Sequence, residues 1–470
     1  MSLRERLVTN FSTHGSGNMN GLDGINGMIA PEEPSRQNAR AGSATAYREL
    51  KQRTHVTLLE RIDLKAMERL PQHQRKDELT QLVEEVLSAG SVVVNEAERK
   101  TLVRDILHEM LGFGPLELLM ADPSVSDILI NTHRHVYVER NGKLEATDVC
   151  FNDNAHLMKI IDKIVSGVGR RIDEASPMVD ARLPDGSRIN VIIPPLAIDG
   201  PIMSIRRFSV KPLAMADFLQ FQTVTPPMAQ FLEGAAKAKL NMMISGGTGG
   251  GKTTLLNILS GFIGEAERIV TIEDTAELRL QQPHVVRLES RPPNIEGKGE
   301  ISQRALVKNA LRMRPDRIIV GEVRGVEAVD MMQAMNSGHE GSLATIHANS
   351  PRDALMRLEN MIGMAGLHLP PKTTRQQISS AISIVAQIAR LSDGKRRIVS
   401  IQEVTGMEGE VITMQEIFTF RQTGIAADGR VLGQFRATGA RPRCCDRLQA
   451  HGVAVPESLF DPTRLYDINS

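Results

Sequence analysis

Apolar residues in the first quarter of the chain recur every three or four positions, which is the spacing of one face of an α-helix. Two runs show it: Leu79, Leu82, Val83, Val86 and Leu87, and then Val103, Ile106, Leu107, Met110 and Leu111. With a less regular helical stretch at 57–70, they predict a small helical bundle at 44–112. Residues 1–43 are rich in Gly, Ser, Asn and Pro, and this composition predicts a disordered tail.

Phe113 begins a region in which short apolar runs alternate with turn residues. Runs at 128–130 and 136–138 predict strands, and Asn141-Gly142 predicts a hairpin turn after them. A helix is predicted around 157–165, a second hairpin at 181–193 across Asp185-Gly186, and a further strand at 203–208. We therefore expect a mixed α/β N-terminal domain at 113–208, followed by a linker at 209–225 that lies between prolines.

The remaining residues, 226–470, alternate apolar runs of strand length with longer helical runs, which is typical of an α/β sheet. Strands are predicted at 240–244, 269–272, 285–288, 317–320 and 343–346, and helices at 228–238, 302–313, 351–364 and 375–383. Three β-rich runs follow at 384–391, 397–404 and 411–420. The third region is therefore expected to be one α/β domain.

Composition narrows the class of protein. Lys and Arg total 56, as do Asp and Glu, so no overall charge attracts nucleic acid or anionic lipid. Trp is absent and aromatics make up 3%, which argues against base-stacking surfaces, and we expect no nucleic-acid partner. No apolar run approaches the roughly 20 residues of a membrane span, and no signal-peptide core is visible, so a cytoplasmic location is expected. The three cysteines form no C-x-x-C pair and indicate neither zinc nor disulfides.

A glycine-rich loop follows the predicted strand at 240–244 and opens a helix. Gly246 to Thr253 fits G-x-x-x-x-G-K-[ST], the phosphate-binding loop, in its required strand–loop–helix setting. Glycines let backbone N–H groups surround a phosphate, and the helix N-terminus adds positive potential. Lys252 is expected to reach the β- and γ-phosphates of ATP, and the Thr253 hydroxyl to bind Mg²⁺. The candidate nucleotide-binding residues are Gly246, Gly247, Thr248, Gly249, Gly250, Gly251, Lys252, Thr253 and Thr254.

Acidic residues stand at the ends of two predicted strands. Glu273 and Asp274 end one, with Glu277 close behind, and Glu322 ends another, after Gly321. Such positions face the ligand crevice of a parallel sheet. Many phosphate-loop enzymes have a metal-binding Asp where Glu322 stands, so one of Glu273, Glu277 and Glu322 is expected to polarise the attacking water. Another would support Mg²⁺ together with Thr253 and Asp274, and the sequence leaves this division open.

One histidine ends a predicted strand on the same side. His347 follows the run at 343–346 and is a candidate catalytic residue. A single histidine is nevertheless more often a hydrogen-bonded structural residue, and no metal-ligand spacing such as H-E-x-x-H surrounds it.

These motifs resemble the bacterial secretion-ATPase superfamily, the motors of type II secretion, type IV pili and type IV secretion. Its four boxes occur in order: the phosphate loop at 246–253, the acidic box at 271–277, the atypical second motif at 318–322 and the histidine box at 338–347. The segments 114–117, 181–190, 204–208 and 405–415 resemble the Tad/Flp pilus assembly branch, the CpaF-like ATPases. One departure is Gly250, where the family usually has Ser. Paired C-x-x-C motifs of many type II motors are also missing.

The resemblance implies a RecA-like phosphate-loop core, ATP and Mg²⁺ as cofactors, and a homo-hexameric motor that powers assembly, and possible retraction, of a Tad/Flp pilus. It implies inner-membrane platform proteins as partners, and peripheral attachment through them to the cytoplasmic face of the inner membrane. It also gives Arg206 and Arg207 a catalytic role, because arginines of this module reach the phosphates in related motors. Without the resemblance, this pair would be expected to hold acids of its own module, such as Asp180 or Asp199.

Other functions remain open at this point. A type IV or type II secretion ATPase has the same boxes. A RecA-like DNA translocase would share the nucleotide core, but the net charge of zero and the absence of Trp argue against it. A scaffold that binds ATP and barely hydrolyses it is disfavoured by the intact Lys252 and Glu322.

Overall fold

The computed structural model describes residues 36–62, 71–89, 95–140, 142–207, 213–291, 293, 298–366 and 369–467. The chain divides into two compact units. Unit 1 comprises Met1–Arg140 and Leu144–Arg207, and unit 2 comprises Asn141–Lys143 and Phe208–Ser470. The phosphate loop and the acidic strand ends belong to unit 2, whereas Arg206 and Arg207 belong to unit 1.

Three helices open the described part of unit 1; the sequence pattern predicted the second and the third, but only the end of the first, at 57–61. They are Arg36–Arg61, Gln72–Ala89 and Glu96–Leu111. The apolar stripes meet in one core that includes Leu58, Leu79, Val83, Leu102 and Ile106. The third helix begins with a capping box between Asn95 and Glu98, which satisfies two terminal N–H groups.

Two sequence predictions change at this end of the chain. The first helix already begins at Arg36, inside the segment 1–43 predicted as a tail, because 36–43 contain good helix formers such as Arg and Ala. Residues 1–35 of that tail, and 63–70 of the helix predicted at 57–70, lie outside the described residues. The bundle and the α/β domain also form one unit rather than two. Glu109 links them, since it accepts hydrogen bonds from Lys51 (2.7 Å) and from His156 (3.0 Å).

The second half of unit 1 is an antiparallel sheet covered by a helix. Its strands are β1 Val125–Ile130, β2 Val136–Arg140, β3 Lys143–Ala146, β4 Met178–Arg182, β5 Arg188–Ile192 and β6 Ile202–Arg206, in the order β3-β2-β1-β6-β5-β4. The helix Asn154–Gly167 packs its apolar face, from Leu157 to Val165, on this sheet. A short helix, Leu116–Ala121, precedes β1. The mixed α/β character expected for 113–208 is therefore present.

Unit 2 is built on a ten-stranded sheet. Its strands are β7 Met242–Gly246, β8 Ile269–Glu273, β9 Val285–Glu289, β10 Arg317–Val323, β11 Leu343–Ile346, β12 Ile384–Arg390, β13 Arg396–Glu408, β14 Val411–Ile425, β15 Val431–Ala437 and β16 Leu465–Asp467. The run β12-β7-β11-β10-β8-β9 pairs in parallel. From β12 the sheet continues antiparallel as β13-β14-β15-β16. The strand that leads into the phosphate loop, β7, lies inside the parallel half, which is the RecA-like arrangement expected from the sequence.

Helices cover both faces of this sheet. Pro226–Lys237 and Lys252–Ser260 pack on one face together with Met242 and Ile244. Gln303–Ala310, Glu327–Asn336, Pro351–Met364 and Pro371–Ala381 pack on the other, where Met243 points. Because successive side chains of a strand point to opposite faces, β7 is apolar on both. That explains its uninterrupted apolar run in the sequence.

The sequence predicted a linker at 209–225, and the structure differs from this prediction. Residues 213–225 are part of unit 2: they form the helix Met215–Gln220, and Phe218 and Val224 are buried in the unit 2 core. Ile398 at the start of β13 donates a backbone hydrogen bond to Thr223 (2.9 Å). Pro226 begins the helix Pro226–Lys237 rather than marking a free connection, and residues 209–212 lie outside the described residues.

Within the described part of the chain, no helix combines the length and the apolar character that a membrane crossing requires.

Candidate active site

The phosphate loop has the backbone geometry that its glycines suggested. Gly249 and Gly251 have positive φ angles of 66° and 98°, a region that favours glycine. Gly251 stands at the start of the helix Lys252–Ser260, where it accepts the backbone hydrogen bond of Leu255 (2.9 Å). The first turn of this helix, with Thr253 and Thr254 half-buried, offers backbone N–H groups to an anion. The Lys252 Nζ donates to the Gly247 carbonyl oxygen at 3.0 Å, so its charge lies over the loop.

The end of β12 packs tightly against the phosphate loop. A Cβ at Gly246 would lie 2.3 Å from the Ile388 carbonyl oxygen. A Cβ at Gly250 would lie 3.1 Å from the Gly247 oxygen and 3.3 Å from the same Ile388 oxygen. Gly250, which stands where the resemblance leads one to expect Ser, thus lies where the backbone of β12 comes close to the loop. Arg396 at the start of β13 donates its Nε–H to the Gly249 carbonyl at 3.1 Å and holds the loop from the same side.

Two parallel strands bring the acidic boxes together. β8 and β10 are neighbours, and Ile272 is opposite Val320, so Glu273 and Asp274 lie beside Gly321 and Glu322. Gly321 leaves room for Glu273, because a Cβ there would be 2.8 Å from the Glu273 Cγ. The sequence predicted that these acids share one edge of the sheet, and the strand pairing agrees.

Glu273 is the most buried of the candidate acids, with 3% of its surface exposed. Its Oε2 accepts the backbone N–H groups of Glu277 (2.7 Å) and Leu278 (2.9 Å). Its Oε1 is buried and has no hydrogen-bond partner among the described residues. Burial raises the pKa of this carboxyl to about 7, against the two backbone hydrogen bonds, which act to lower it. Glu277, half-buried, contributes its backbone here.

Glu322 lies at an irregularity of the sheet. The pairing of β10 with β11 shifts register between Val320 and Val323, so this stretch has one residue more than β11 opposite it. Bulges of this kind re-aim side chains next to active sites. The carboxylate of Glu322 pairs with Arg324 (Nη2–Oε2 2.6 Å), and Arg324 also reaches Asp274 (Nη1–Oδ2 3.2 Å).

His347 lies directly after β11, within electrostatic reach of the phosphate loop. Its pKa is lowered, first by burial and then by the positive charge of Lys252. The neutral ring is therefore favoured near neutral pH. The described residues contain no cluster of three or more His, Cys, Asp or Glu side chains that could hold a metal ion by themselves.

Arg206 and Arg207 make their hydrogen bonds within unit 1. Arg206 ends β6, is about half exposed, and pairs with Asp127 on β1 (3.3 Å). Arg207 donates to the backbone carbonyls of Asp122 and Val125. The partners expected without the resemblance, Asp180 and Asp199, are not the ones found; Asp180 accepts a hydrogen bond from Asn190.

Sequence reasoning missed four residues around the site. Arg324 follows Glu322 by two positions, and its charge beside the acids was an available signal. Thr345 donates its hydroxyl to the Gly321 carbonyl (2.6 Å), which ties β11 to the acidic strand β10. Gln387, a buried polar residue within an apolar strand, donates to Ala348 next to His347 (3.1 Å). Arg396 carried no signal, because only the pairing of β12 with β13 places it beside the loop.

With this geometry in hand, comparison with known proteins identifies the family. The family model described as Type II/IV secretion system protein matches residues 109–452, which include every box named above. The chain belongs to this family. A Mycobacterium tuberculosis relative, Rv3659c, carries a conjugal transfer name; it is 35% identical over 325 residues, which span 68% of this chain and 92% of the relative.

Other members of the family extend this likeness. The type IV secretion system protein VirB11 of Bartonella quintana is 30% identical over 326 residues, 61% of this chain and 90% of that protein. The crystal structure of the VirB11 ATPase from Brucella suis is 28% identical and covers 62% of this chain and 95% of its own, with a TM-score of 0.34. A TM-score of 0.34 is too low to indicate a shared fold, and the family assignment rests on the match over residues 109–452 and on the sequence relatives.

Proposed function

We propose that this secretion-family protein is an ATPase motor that hydrolyses ATP at the phosphate loop. The observation that carries the proposal is a shared edge of the parallel sheet. Lys252 begins the helix after β7, and Glu273, Asp274 and Glu322 stand at the carboxyl ends of β8 and β10 in the same sheet. A nucleotide hydrolase needs two parts: a positively charged loop that binds the phosphates, and carboxylates that orient the attacking water. A loop that only binds nucleotide does not need the second part.

The site's residues fit ATP and Mg²⁺. Two left-handed glycines, the N-terminus of the helix Lys252–Ser260 and the Lys252 ammonium provide an anion site for the phosphates. The Oε1 of Glu273 is a buried carboxylate oxygen that lacks a partner among the described residues, and oxygens of this type suit Mg²⁺. Thr253, Glu273 and Asp274 would hold the metal or its waters. When bound, the metal neutralises charge on the phosphates.

We propose that one of the acids at the strand ends is the general base, and that Glu322 is the acid that hydrolysis requires most. Replacement of Glu322 by Gln keeps its shape but removes its capacity to take a proton. We expect Glu322→Gln to bind ATP with unchanged affinity while turnover falls by roughly 10²–10⁴-fold, as for a lost general base. Turnover close to wild type would assign the role to Glu273 or Glu277, and loss of binding would assign Glu322 to metal support.

The biological task proposed is assembly, and possible retraction, of a Tad/Flp pilus by a homo-hexamer at the cytoplasmic face of the inner membrane. Inner-membrane platform proteins would be its partners, and no nucleic acid is required. The segments at 181–190 and 405–415 support this branch. The type IV secretion motor is the second candidate, because the relatives from Mycobacterium tuberculosis and Bartonella quintana carry conjugal transfer and type IV secretion names.

Three measurements test the proposal. Hydrolysis of ATP by the purified protein, with and without DNA, separates a secretion motor from a DNA translocase, whose turnover DNA would stimulate. Electron micrographs with a non-hydrolysable ATP analogue should show six-fold rings; a monomer under all conditions contradicts the hexamer. Deletion of the gene in its host should remove surface pili, whereas retained pili with lost conjugation or protein export favour the type IV secretion motor.

A further inference from the structure

An arginine that none of the sequence motifs assigned bridges the two acidic strand ends. Arg324 follows β10 directly and donates to the same Glu322 oxygen from Nε (3.0 Å) and Nη2 (2.6 Å). Its Nη1 donates to the Asp274 Oδ2 at 3.2 Å. One guanidinium thus contacts a carboxylate on β10 and another directly after the neighbouring β8. The planar fork of arginine is suited to such a bridge.

Other contacts fix the position of this bridge. The buried Glu327 carboxylate accepts the backbone N–H groups of Arg324 (2.6 Å) and Gly325 (2.8 Å), so the chain after β10 is held in place. On the far side, Ser290 donates its hydroxyl to the Asp274 Oδ1 at 3.1 Å. The result is a connected row that runs from Ser290 through Asp274 and Arg324 to Glu322.

The side chain of Arg324 is more exposed than either carboxylate it joins. Exposed ion pairs contribute little to stability, typically about 0–1 kcal/mol, so a purely stabilising role would be a weak reason for this arrangement. The geometry does serve another purpose. The irregular register of β10 turns Glu322 out of the regular ladder, and Arg324 then defines where its carboxylate lies.

We infer that Arg324 is a positioning residue that holds the Glu322 carboxylate, and ties it to Asp274, in the orientation that ATP hydrolysis requires. This inference rests on the proposed function. Arg324 acts through Glu322, so its effect belongs to turnover and not to nucleotide binding. Loss of a partner that orients a metal-binding side chain typically costs 10–100-fold in activity, and we expect a loss of this order for Arg324.

The test compares Arg324→Ala and Arg324→Lys with a matched control, Arg304→Ala. Arg304 also pairs through Nε with an acid (Asp330, 2.8 Å), on helices away from the phosphate loop. We expect Arg324→Ala to lower kcat by roughly 10–100-fold, with the ATP dissociation constant and KM within about threefold of wild type. Arg324→Lys keeps the charge but not the fork, and should restore only part of the loss. Arg304→Ala should leave kcat unchanged. A kcat for Arg324→Ala at or above that of wild type overturns the inference.

A double mutant distinguishes positioning from an independent effect. If Arg324 acts through Glu322, its removal costs nothing further once Glu322 is Gln, because coupled residues are not additive. The same fold-loss in the wild-type and Glu322→Gln backgrounds would mean that Arg324 acts by another route, and the inference fails.

A readout without ATP keeps the two proposals separate. Carbodiimide coupling of a small amine, followed by mass spectrometry, reports how freely each carboxylate reacts. Glu322 and Asp274 should react faster in Arg324→Ala than in wild type and Arg304→Ala, whereas Asp330 should react faster only in Arg304→Ala. Equal reactivity of Glu322 with and without Arg324 contradicts the positioning contact. If wild type hydrolyses no ATP, the proposed function fails by itself, and the labelling still decides whether Arg324 holds Glu322.

Discussion

Single side chains of unit 2 divide into those that face the proposed chemistry and those that hold the sheet together. Arg317 belongs to the second group. It is fully buried at the start of β10, donates to both oxygens of Glu267 at 2.8 Å and donates to the Ala236 carbonyl at 2.7 Å. A buried guanidinium requires such a partner, because an unpaired charge away from water is costly. This pair therefore fixes the position of the start of β10, the strand that contains Glu322.

Replacement of Glu267 by Gln should destabilise the fold by about 3 kcal/mol at neutral pH, because it leaves Arg317 buried without a counter-charge. Burial acts to raise the pKa of Glu267, but hydrogen bonds and charge from Arg317 and Lys239 outweigh it and lower the pKa to about 2. A carboxyl whose pKa is lower in the folded state stabilises the fold above its usual pKa of 4.5 and loses that effect as pH falls towards 2.

Urea unfolding of wild type and Glu267→Gln from pH 7 down to the acid limit of folding measures this effect. The difference in free energy of unfolding should be constant above about pH 5 and shrink below it. A difference that stays constant into the acid range would mean that the charge of Glu267 is not what the fold uses. Glu265→Gln, an exposed neighbour, serves as the control and should differ little from wild type at any pH.

Among the elements, the phosphate loop depends on how closely β12 approaches it. A methyl group at Gly246 would meet the Ile388 backbone oxygen, which cannot move aside without disturbing β12. Gly246→Ala is therefore expected to lower the free energy of unfolding by about 1–3 kcal/mol, the usual cost of overpacking. Gly247→Ala is the matched control, since nothing lies within 4 Å of a Cβ there and its φ is not positive. Thermal unfolding should show a clear loss for the first variant and none for the second; equal behaviour would contradict the close packing.

The sequence predicted most elements that have a regular apolar pattern. The strand at 343–346 and the helix at 351–364 have the predicted bounds, and the other strands of the parallel sheet differ by a few residues. The helix Glu327–Asn336 is not among the predicted elements, although Ala328, Met331, Met332 and Met335 follow helical spacing. The strands Val431–Ala437 and Leu465–Asp467 were missed as well. The second is three residues long, and Gly433, Gln434 and Arg436 interrupt the apolar run of the first.

The sequence was enough to predict which residues belong to the candidate site, but not which contacts they make. Glu273 and Glu322 could be placed at one edge, because the carboxyl ends of parallel strands meet there. The bridge through Arg324 could not, since it depends on the neighbouring order of β8 and β10 and on the register shift at Glu322. The raised pKa of Glu273 depends on burial, which only the packed structure shows.

In the molecule as a whole, Arg206 and Arg207 are the residues of unit 1 for which the sequence suggested a part in ATP hydrolysis. Arg206 and Arg207 differ in burial and in hydrogen-bond partners, which the sequence did not show. Arg207 is part-buried and occupied by backbone carbonyls, as a structural residue is. Arg206 is half exposed, and its side chain pairs with Asp127 within the described part of unit 1. We therefore propose Arg206 as the stronger candidate for stabilising charge on the phosphates.

Arg206→Ala should lower ATP turnover by roughly 10³-fold, as expected for an arginine that stabilises transition-state charge, and leave ADP binding and melting temperature unchanged. Arg207→Ala should instead lower the melting temperature, because it leaves carbonyl groups of unit 1 without their donor. Arg140→Ala is the control from the same unit, since it too pairs with an acid, Asp122 (3.0 Å). Turnover of Arg206→Ala equal to that of Arg140→Ala would show that Arg206 only holds Asp127.

Steady-state ATP turnover of the purified wild type, measured beside Lys252→Ala and Lys308→Ala, shows whether the loop of unit 2 hydrolyses ATP. Lys308 is an exposed lysine on the helix Gln303–Ala310 and controls for loss of a surface charge. We expect turnover in wild type and Lys308→Ala, and its loss in Lys252→Ala, because the ammonium that meets the β- and γ-phosphates is gone. Lys252→Ala that keeps more than about a tenth of wild-type turnover would contradict the account, since a phosphate-loop lysine is not dispensable to that degree.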